Sequence, residues 1–148
     1  MIGTGKVKPE LFEKYNFSKD GFIKVYGWLS YDDFTKLICC ADLFSLIQED
    51  TLRNRSRFPN KMGDYLAVGR PIIANQVGEV RHYAEKYPEA FYIIEDHPIQ
   101  IEKALCKAYT DWQNNNINYR SIRDIAIENS WRQRAKELSK FYEKICYN

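Results

Sequence analysis

Arg57, Lys61 and Asp64 stand within the stretch 57–71, RFPNKMGDYLAVGRP, with two fixed cations ahead of a carboxylate one helical turn further on. Asn60 is a good helix N-cap, and the run behind it places Lys61, Asp64, Tyr65 and Val68 on one stripe. Gly69 is the expected left-handed C-cap, and Pro71 prevents continuation. A helix bounded so sharply presents unpaired amides and roughly half a positive charge at its start. Arg57 and Lys61 lie within a turn of that end, and Gly63 leaves room for close approach, so the arrangement suits a diphosphate. The plainer alternative is that both cations are solvated surface charges and Asp64 is only a favourable first-turn carboxylate. Spacing alone does not separate the two.

The elements that must position these residues read as alternating strand and helix. Ile72, Ile73 and Ala74 form an apolar run suited to a buried parallel strand, which makes the preceding helix the crossover of a β-α-β unit. Ligands of such sheets lie at the carboxyl ends of strands. The pattern predicts helix over 9–15, strand over 23–26, helix over 31–40, strand over 43–47 and a polar loop over 48–57. Beyond 72–74 it predicts helix over 80–87, strand over 90–94 and three helical segments from 99 onward, with an Asn-rich turn at 113–118. Ala135, Leu138, Phe141, Tyr142 and Ile145 recur at helical spacing, and that face is expected to pack. The expectation is one α/β domain over residues 1–148, a Rossmann-like parallel sheet flanked by helices.

Composition narrows the function. The 45% hydrophobic content is ordinary for a globular chain. A net charge of +2, with Lys and Arg scattered among acids, gives no footprint for nucleic acid. No stretch approaches the roughly 18 consecutive apolar residues of a membrane helix. Cys39, Cys40, Cys106 and Cys146 lack paired metal-ligand spacing, so reduced thiols and a cytoplasmic setting are expected. No metal is expected, since His82 and His97 stand alone.

Smaller features have competing explanations. Gly3-Thr4-Gly5-Lys6 looks like the end of a phosphate loop, but Val7 stands where a magnesium-binding hydroxyl is needed, so a turn is the better reading. Trp28, after Gly27, is either a stacking surface for a base or core. Asp32 and Asp33 are explained by the first turn of a helix. Gly78-Glu79 follows a strand at the carboxyl edge, where glycine admits a sugar or phosphate and a carboxylate accepts from hydroxyls; helix capping competes. Trp131 is expected to bury its ring against the domain.

The segment as a whole resembles the donor-binding motif of GT-B glycosyltransferases of the group 1, family 4-like branch, which reads roughly R-x-P-x-K-x-x-(D/E)-Y-L-A-x-G-x-P. Arg57, Pro59, Lys61, Asp64, Tyr65, Leu66, Ala67, Gly69 and Pro71 all match. In register around it, residues 22–29 resemble the family's strand and Gly turn, 41–46 its A-D-L-F strand, 72–79 the strand and loop after the donor helix, and Asn129-Ser130-Trp131 its C-terminal helix. The chain then corresponds to the C-terminal half of a GT-B fold, truncated at its N-terminus and either a fragment or a separately encoded half.

The resemblance implies transfer of a sugar, as in hexosyltransferases, from a nucleotide-diphosphate sugar to a glycan or lipid-linked acceptor held by an N-terminal GT-B domain or partner subunit. Lys61 and Arg57 become the catalytic candidates, stabilising charge on the leaving β-phosphate without metal or cofactor. Trp28, Gly27, Pro59, Asn60, Asp64, Gly78 and Glu79 become donor-binding candidates, with Asp64 on the ribose. Many retaining relatives carry two glutamates eight positions apart; here those positions hold Ser56 and Asp64, which leaves the sugar and the stereochemical outcome open. Polysaccharide biosynthesis at the inner face of a membrane, reached through the other half, is the usual setting. The competing class is a non-catalytic nucleotide-sugar-binding or subunit-interaction module. An epimerase or dehydrogenase domain ranks last, because no G-x-G-x-x-G opens a helix.

Overall fold

The computed structural model describes residues 2–4, 24–95 and 98–146. They fall into two compact units, one ending at Cys40 and the other beginning at Ala41.

In the first unit, β1 (Ile2–Thr4) pairs in parallel with β2 (Lys24–Tyr26), with Ile2 opposite Lys24 and Thr4 opposite Tyr26. Helix α1 (Tyr31–Cys39) starts from Ser30, whose Oγ accepts from the Asp33 amide at 3.1 Å and donates to Asp33 Oδ2 at 2.7 Å. Asp32 and Asp33 occupy its first turn, where carboxylates complement the helix dipole, so capping accounts for both. The helix predicted over 9–15 lies outside the described residues.

The second unit holds a three-stranded parallel sheet in the order β3 (Phe44–Leu46), β4 (Ile72–Asn75), β5 (Phe91–Ile94). Phe44 is opposite Ile72, and Ile72 is opposite Phe91. Two helices, α2 (Leu52–Arg55) and α3 (Asn60–Val68), connect β3 to β4. Helix α4 (Glu79–Lys86) and a 3₁₀ turn (Pro88–Ala90) connect β4 to β5. Helices α5 (Pro98–Gln113), α6 (Tyr119–Glu128) and α7 (Trp131–Cys146) follow. This is the expected α/β architecture, a Rossmann-like parallel sheet flanked by helices.

The sequence explains the layering. Central strand β4 is buried at all its positions, as a parallel strand covered on both faces must be. On β3, Phe44 and Leu46 are buried and Ser45 is exposed. Helix α3 buries Met62 and Leu66, one turn apart, and stacks Tyr65 on Phe44 with ring centroids 4.0 Å apart. Ala104 of α5 forms a core cluster with Ile73 and Ile94, against which Leu43, Tyr92 and Ile101 pack. Helix α6 packs on α3. Gly69 closes α3 at φ 78° and ψ 31°, as expected of a left-handed cap. A Cβ there would meet the Tyr119 carbonyl at 2.7 Å, so glycine serves the α3–α6 packing as well as the turn. Arg70 completes this corner, its guanidinium lying 4.2 Å from the Tyr119 ring centroid and donating to the Ala41 carbonyl at 3.0 Å.

Two expectations fail. Loop 48–57 contains α2, started by Thr51, whose hydroxyl accepts from the Asn54 amide at 3.3 Å. No residue of α7 is buried: Leu138, Phe141, Tyr142 and Ile145 are exposed, and Trp131 is 87% exposed. Its first turn is tied down through Arg134, which donates to Asn129 Oδ1 at 2.6 Å and to Glu137 Oε2 at 2.8 Å. Periodicity reports that a helix is amphipathic; it does not say that the same described residues cover it.

Candidate functional site at the carboxyl edge of the sheet

The carboxyl ends of β3 and β4 are locked together by one side chain. Asn75 is the buried polar residue of the core; its Oδ1 accepts from the Gln48 amide at 2.9 Å and its Nδ2 donates to the Gln48 carbonyl at 2.6 Å. The loop leaving β3 therefore departs from a fixed point. It is stiffened again by Asn54 Nδ2, which donates to the Glu49 carbonyl at 2.8 Å. Arg55 grips Asp50 with Nε and Nη2, at 2.5 and 2.7 Å. The Arg55 hydrogen bond holds the Asp50 carboxyl below the usual range, and Arg81 adds a weaker pull. Both partners face solvent, so the pair orients Arg55 more than it stabilises the fold.

Beyond α2, Arg57 is exposed in the bend leading to α3. Phe58 packs edge-on against Tyr83 at 5.7 Å, which fixes the bend against α4. Pro59, buried, takes the N-cap place of α3 with φ −76° and ψ 103° and makes no side-chain capping bond. This corrects the expected N-cap: Asn60 is the first helical residue. A proline whose ring is buried and whose φ is preset defines the helix entry by shape, where an Asn would do so by a hydrogen bond. Since no side chain caps the first turn, donor capacity remains at this end. Lys61 is exposed in that turn. Asp64, one turn further, has its carboxyl pushed up by desolvation, and Tyr65 beside it is raised by burial and then by the Asp64 charge.

Gly78 has φ 57° and precedes α4, with Glu79 exposed at that helix's first position. A Cβ on Gly78 would lie 2.8 Å from the carbonyl oxygens of both Asn54 and Arg55. On the side where a Cβ would stand, the space is filled by the last turn of α2. Arg57, Pro59, Asn60, Lys61 and Asp64 lie in and before the first turns of α3, and Gly78 and Glu79 lie where α4 begins. Gly27 and Trp28 belong to the first unit, just past β2, where both are exposed; Trp28 at 83% is not core.

Sequence reasoning missed a cavity of about 360 Å³ lined by Asp50, Arg55, Gln76, Gly78, Arg81 and His82. Its walls come from the β3–α3 loop, the β4–α4 turn and α4, and the sole hint in the sequence was the alternation Arg53, Arg55, Arg57. Among the described residues no group of His, Cys, Asp or Glu side chains could hold a metal ion, and no helix is long and apolar enough to cross a membrane. His97 lies outside the described residues. Cys39, Cys40, Cys106 and Cys146 are free and exposed.

A family model described as glycosyl transferases group 1 matches residues 1–111, three quarters of the 148-residue chain. No curated protein matches the chain. The match takes in the strands of both units, the cationic loop and α3, and the chain belongs to the glycosyl transferases group 1 family, with a domain like the C-terminal one of GT-B glycosyltransferases.

Proposed function

We propose that the chain is the donor-binding half of a GT-B glycosyltransferase, moving a hexose-type sugar from a nucleotide-diphosphate donor to a glycan or lipid-linked acceptor held by an N-terminal domain or partner subunit. The observation that carries this reading is the uncapped first turn of α3, with exposed Lys61 inside it and exposed Arg57 just ahead, beside the carboxyl ends of β3 and β4. In such a sheet that edge is where ligands lie.

The acceptor oxygen bonds to the anomeric carbon and gives up its proton, while the bond from that carbon to the β-phosphate oxygen breaks and the nucleoside diphosphate departs. Negative charge grows on the β-phosphate. Lys61, Arg57 and the helix amides oppose it with charge already in place, and in a closed cleft each donor is worth about 2.7–4 kcal/mol by analogy with removal of an oxyanion-hole donor. The chemistry asks for no metal or cofactor. Asp64, whose carboxyl resists ionisation more than usual, is assigned to the ribose hydroxyls. Pro59 and Asn60 shape the phosphate end, and Gly78 and Glu79 border the sugar. Gly27 and Trp28, exposed on the first unit, offer a surface on which a base can stack. A cytoplasmic setting at the inner face of a membrane follows if the acceptor is lipid-linked.

Ser56, where many retaining relatives have a glutamate, favours a second reading as a non-catalytic nucleotide-sugar-binding or subunit-interaction module. Both readings require donor binding. Calorimetric titration of UDP, GDP and their sugar conjugates into the chain, with folded Lys61→Ala and Arg57→Ala variants alongside, tests it. The expected result is a loss of more than tenfold in each variant, about 1.4 kcal/mol. Binding unaffected by either substitution, or no binding of any nucleotide, overturns the assignment. Transfer in the presence of the acceptor-binding half separates enzyme from module.

A further inference from the structure

The cavity beside Gly78 is built, not incidental. Gly78 admits the end of α2, Asn54 ties that helix to Glu49, and Asp50 holds Arg55 by two hydrogen bonds. Its volume, about 360 Å³, lies at the small end of ligand pockets. That is room for one sugar ring and its substituents, not for a whole nucleotide sugar.

Its chemistry is that of an oxyanion site. Asp50 has both carboxylate oxygens engaged by Arg55. Arg81 makes one long hydrogen bond, 3.4 Å from Nη2 to the Gln76 carbonyl, although a guanidinium carries five N–H donors. Arg55 and Arg81 set against Asp50 leave one surplus positive charge on the lining before His82 is considered. A pocket for a neutral sugar needs acceptors for its hydroxyl protons; here the acceptors on the lining are Gln76 and an Asp50 already engaged by Arg55, whereas the two arginines offer donors alone. Planar guanidinium groups match carboxylates in a bidentate fork. Arg55 reaches this wall from the end of α2, with Arg53 and Arg57 flanking it in sequence.

We propose that this cavity receives the carboxylate of an acidic sugar, so that the donor is a nucleoside-diphosphate uronic acid; the assignment rests on the donor-binding reading above. Arg81 is the group that contacts the carboxylate. Arg55, on the same lining, supports it, and Asp50 acts as a positioning residue that holds Arg55 in place. The diphosphate remains with Lys61 and Arg57, so the two anions of the donor have separate partners.

The test compares matched ligands by calorimetry on the whole chain: UDP, UDP-glucose and UDP-glucuronate, and GDP, GDP-mannose and GDP-mannuronate. Wild type, Arg81→Ala, Arg81→Lys and Lys61→Ala are compared, each verified as folded by circular dichroism. The expected result is a uronate bound at least tenfold more tightly than its neutral counterpart, a preference that collapses toward unity in Arg81→Ala and returns in part in Arg81→Lys. Lys61→Ala should weaken all three ligands of a series together. Equal affinity for neutral and acidic sugars overturns the proposal. So does an Arg81→Ala variant that loses bare diphosphate as steeply as uronate, which would give the cavity to the phosphates. If no nucleotide of either series binds, the donor-binding reading itself falls, an outcome distinct from loss of the acid preference alone.

Discussion

Asp64 stands one turn behind Lys61 with its carboxyl raised by desolvation, so the fold and the charge are in mild opposition there. As pH rises past about 3.9, the unfolded chain ionises this group first. The stability it contributes is fully present below that value and is lost as pH rises through the higher folded value. Asp64→Asn should therefore raise the urea midpoint slightly at pH 7 and leave it unchanged at pH 3, while weakening nucleotide binding if the side chain meets the ribose. Partial exposure keeps the stability gain small. Asn75 is the opposite case, a buried polar side chain with a partner for both its oxygen and its nitrogen. Asn75→Ala strips partners from the Gln48 amide and carbonyl together, and a cost of about 1–3 kcal/mol is expected in denaturant unfolding. The sequence showed the cations and Asp64 plainly but not Asn75, because its partner lies 27 positions away and side-chain amides at strand ends follow no short pattern.

At the scale of elements, Gly69 and Gly78 make the sharpest predictions. Gly69→Ala puts a Cβ 2.7 Å from the Tyr119 carbonyl at a left-handed φ. Gly78→Ala drives one into two carbonyl oxygens of α2. A positive φ, left-handed helical at Gly69 and outside that region at Gly78, costs an L-residue about 1–3 kcal/mol, and the backbone contacts add to it. Each variant should lower the thermal midpoint by several degrees in a scan. Gly78→Ala should also disturb the Asp50–Arg55 wall, where Gly69→Ala should not. Strong local signals made α3, β4 and β5 legible: a buried run, a left-handed glycine, a following proline. Weak ones failed. Helix α2 is only four residues long, so periodicity cannot reveal it, and its sole cue was Thr51 three residues before Asn54. Asn60 misled because Pro59, one position earlier, fixes the helix start by shape. Helix α7 misled in the other direction, since an apolar stripe from Ala135 to Ile145 announces burial without naming what provides it.

For the whole molecule, the parallel α/β class followed from alternating runs, and membership of the glycosyl transferases group 1 family followed from a spaced motif that the family match supports. The cavity of Asp50, Arg55, Arg81 and His82 was barely hinted at in the sequence, by the alternation Arg53, Arg55, Arg57, because it exists only when two loops and the face of one helix meet. The central claim is that the donor diphosphate lies at the carboxyl edge of the sheet, against the first turn of α3. Amide chemical-shift mapping tests it most directly: the uniformly labelled chain is titrated with UDP and with GDP, and the residues that move are located. The account predicts saturable shifts at Asn60, Lys61, Met62 and Gly63, reaching Gly78 and Glu79, for at least one of the two nucleotides. Saturable shifts confined to α5 through α7, or a spectrum unchanged by either nucleotide at millimolar concentration, would contradict it.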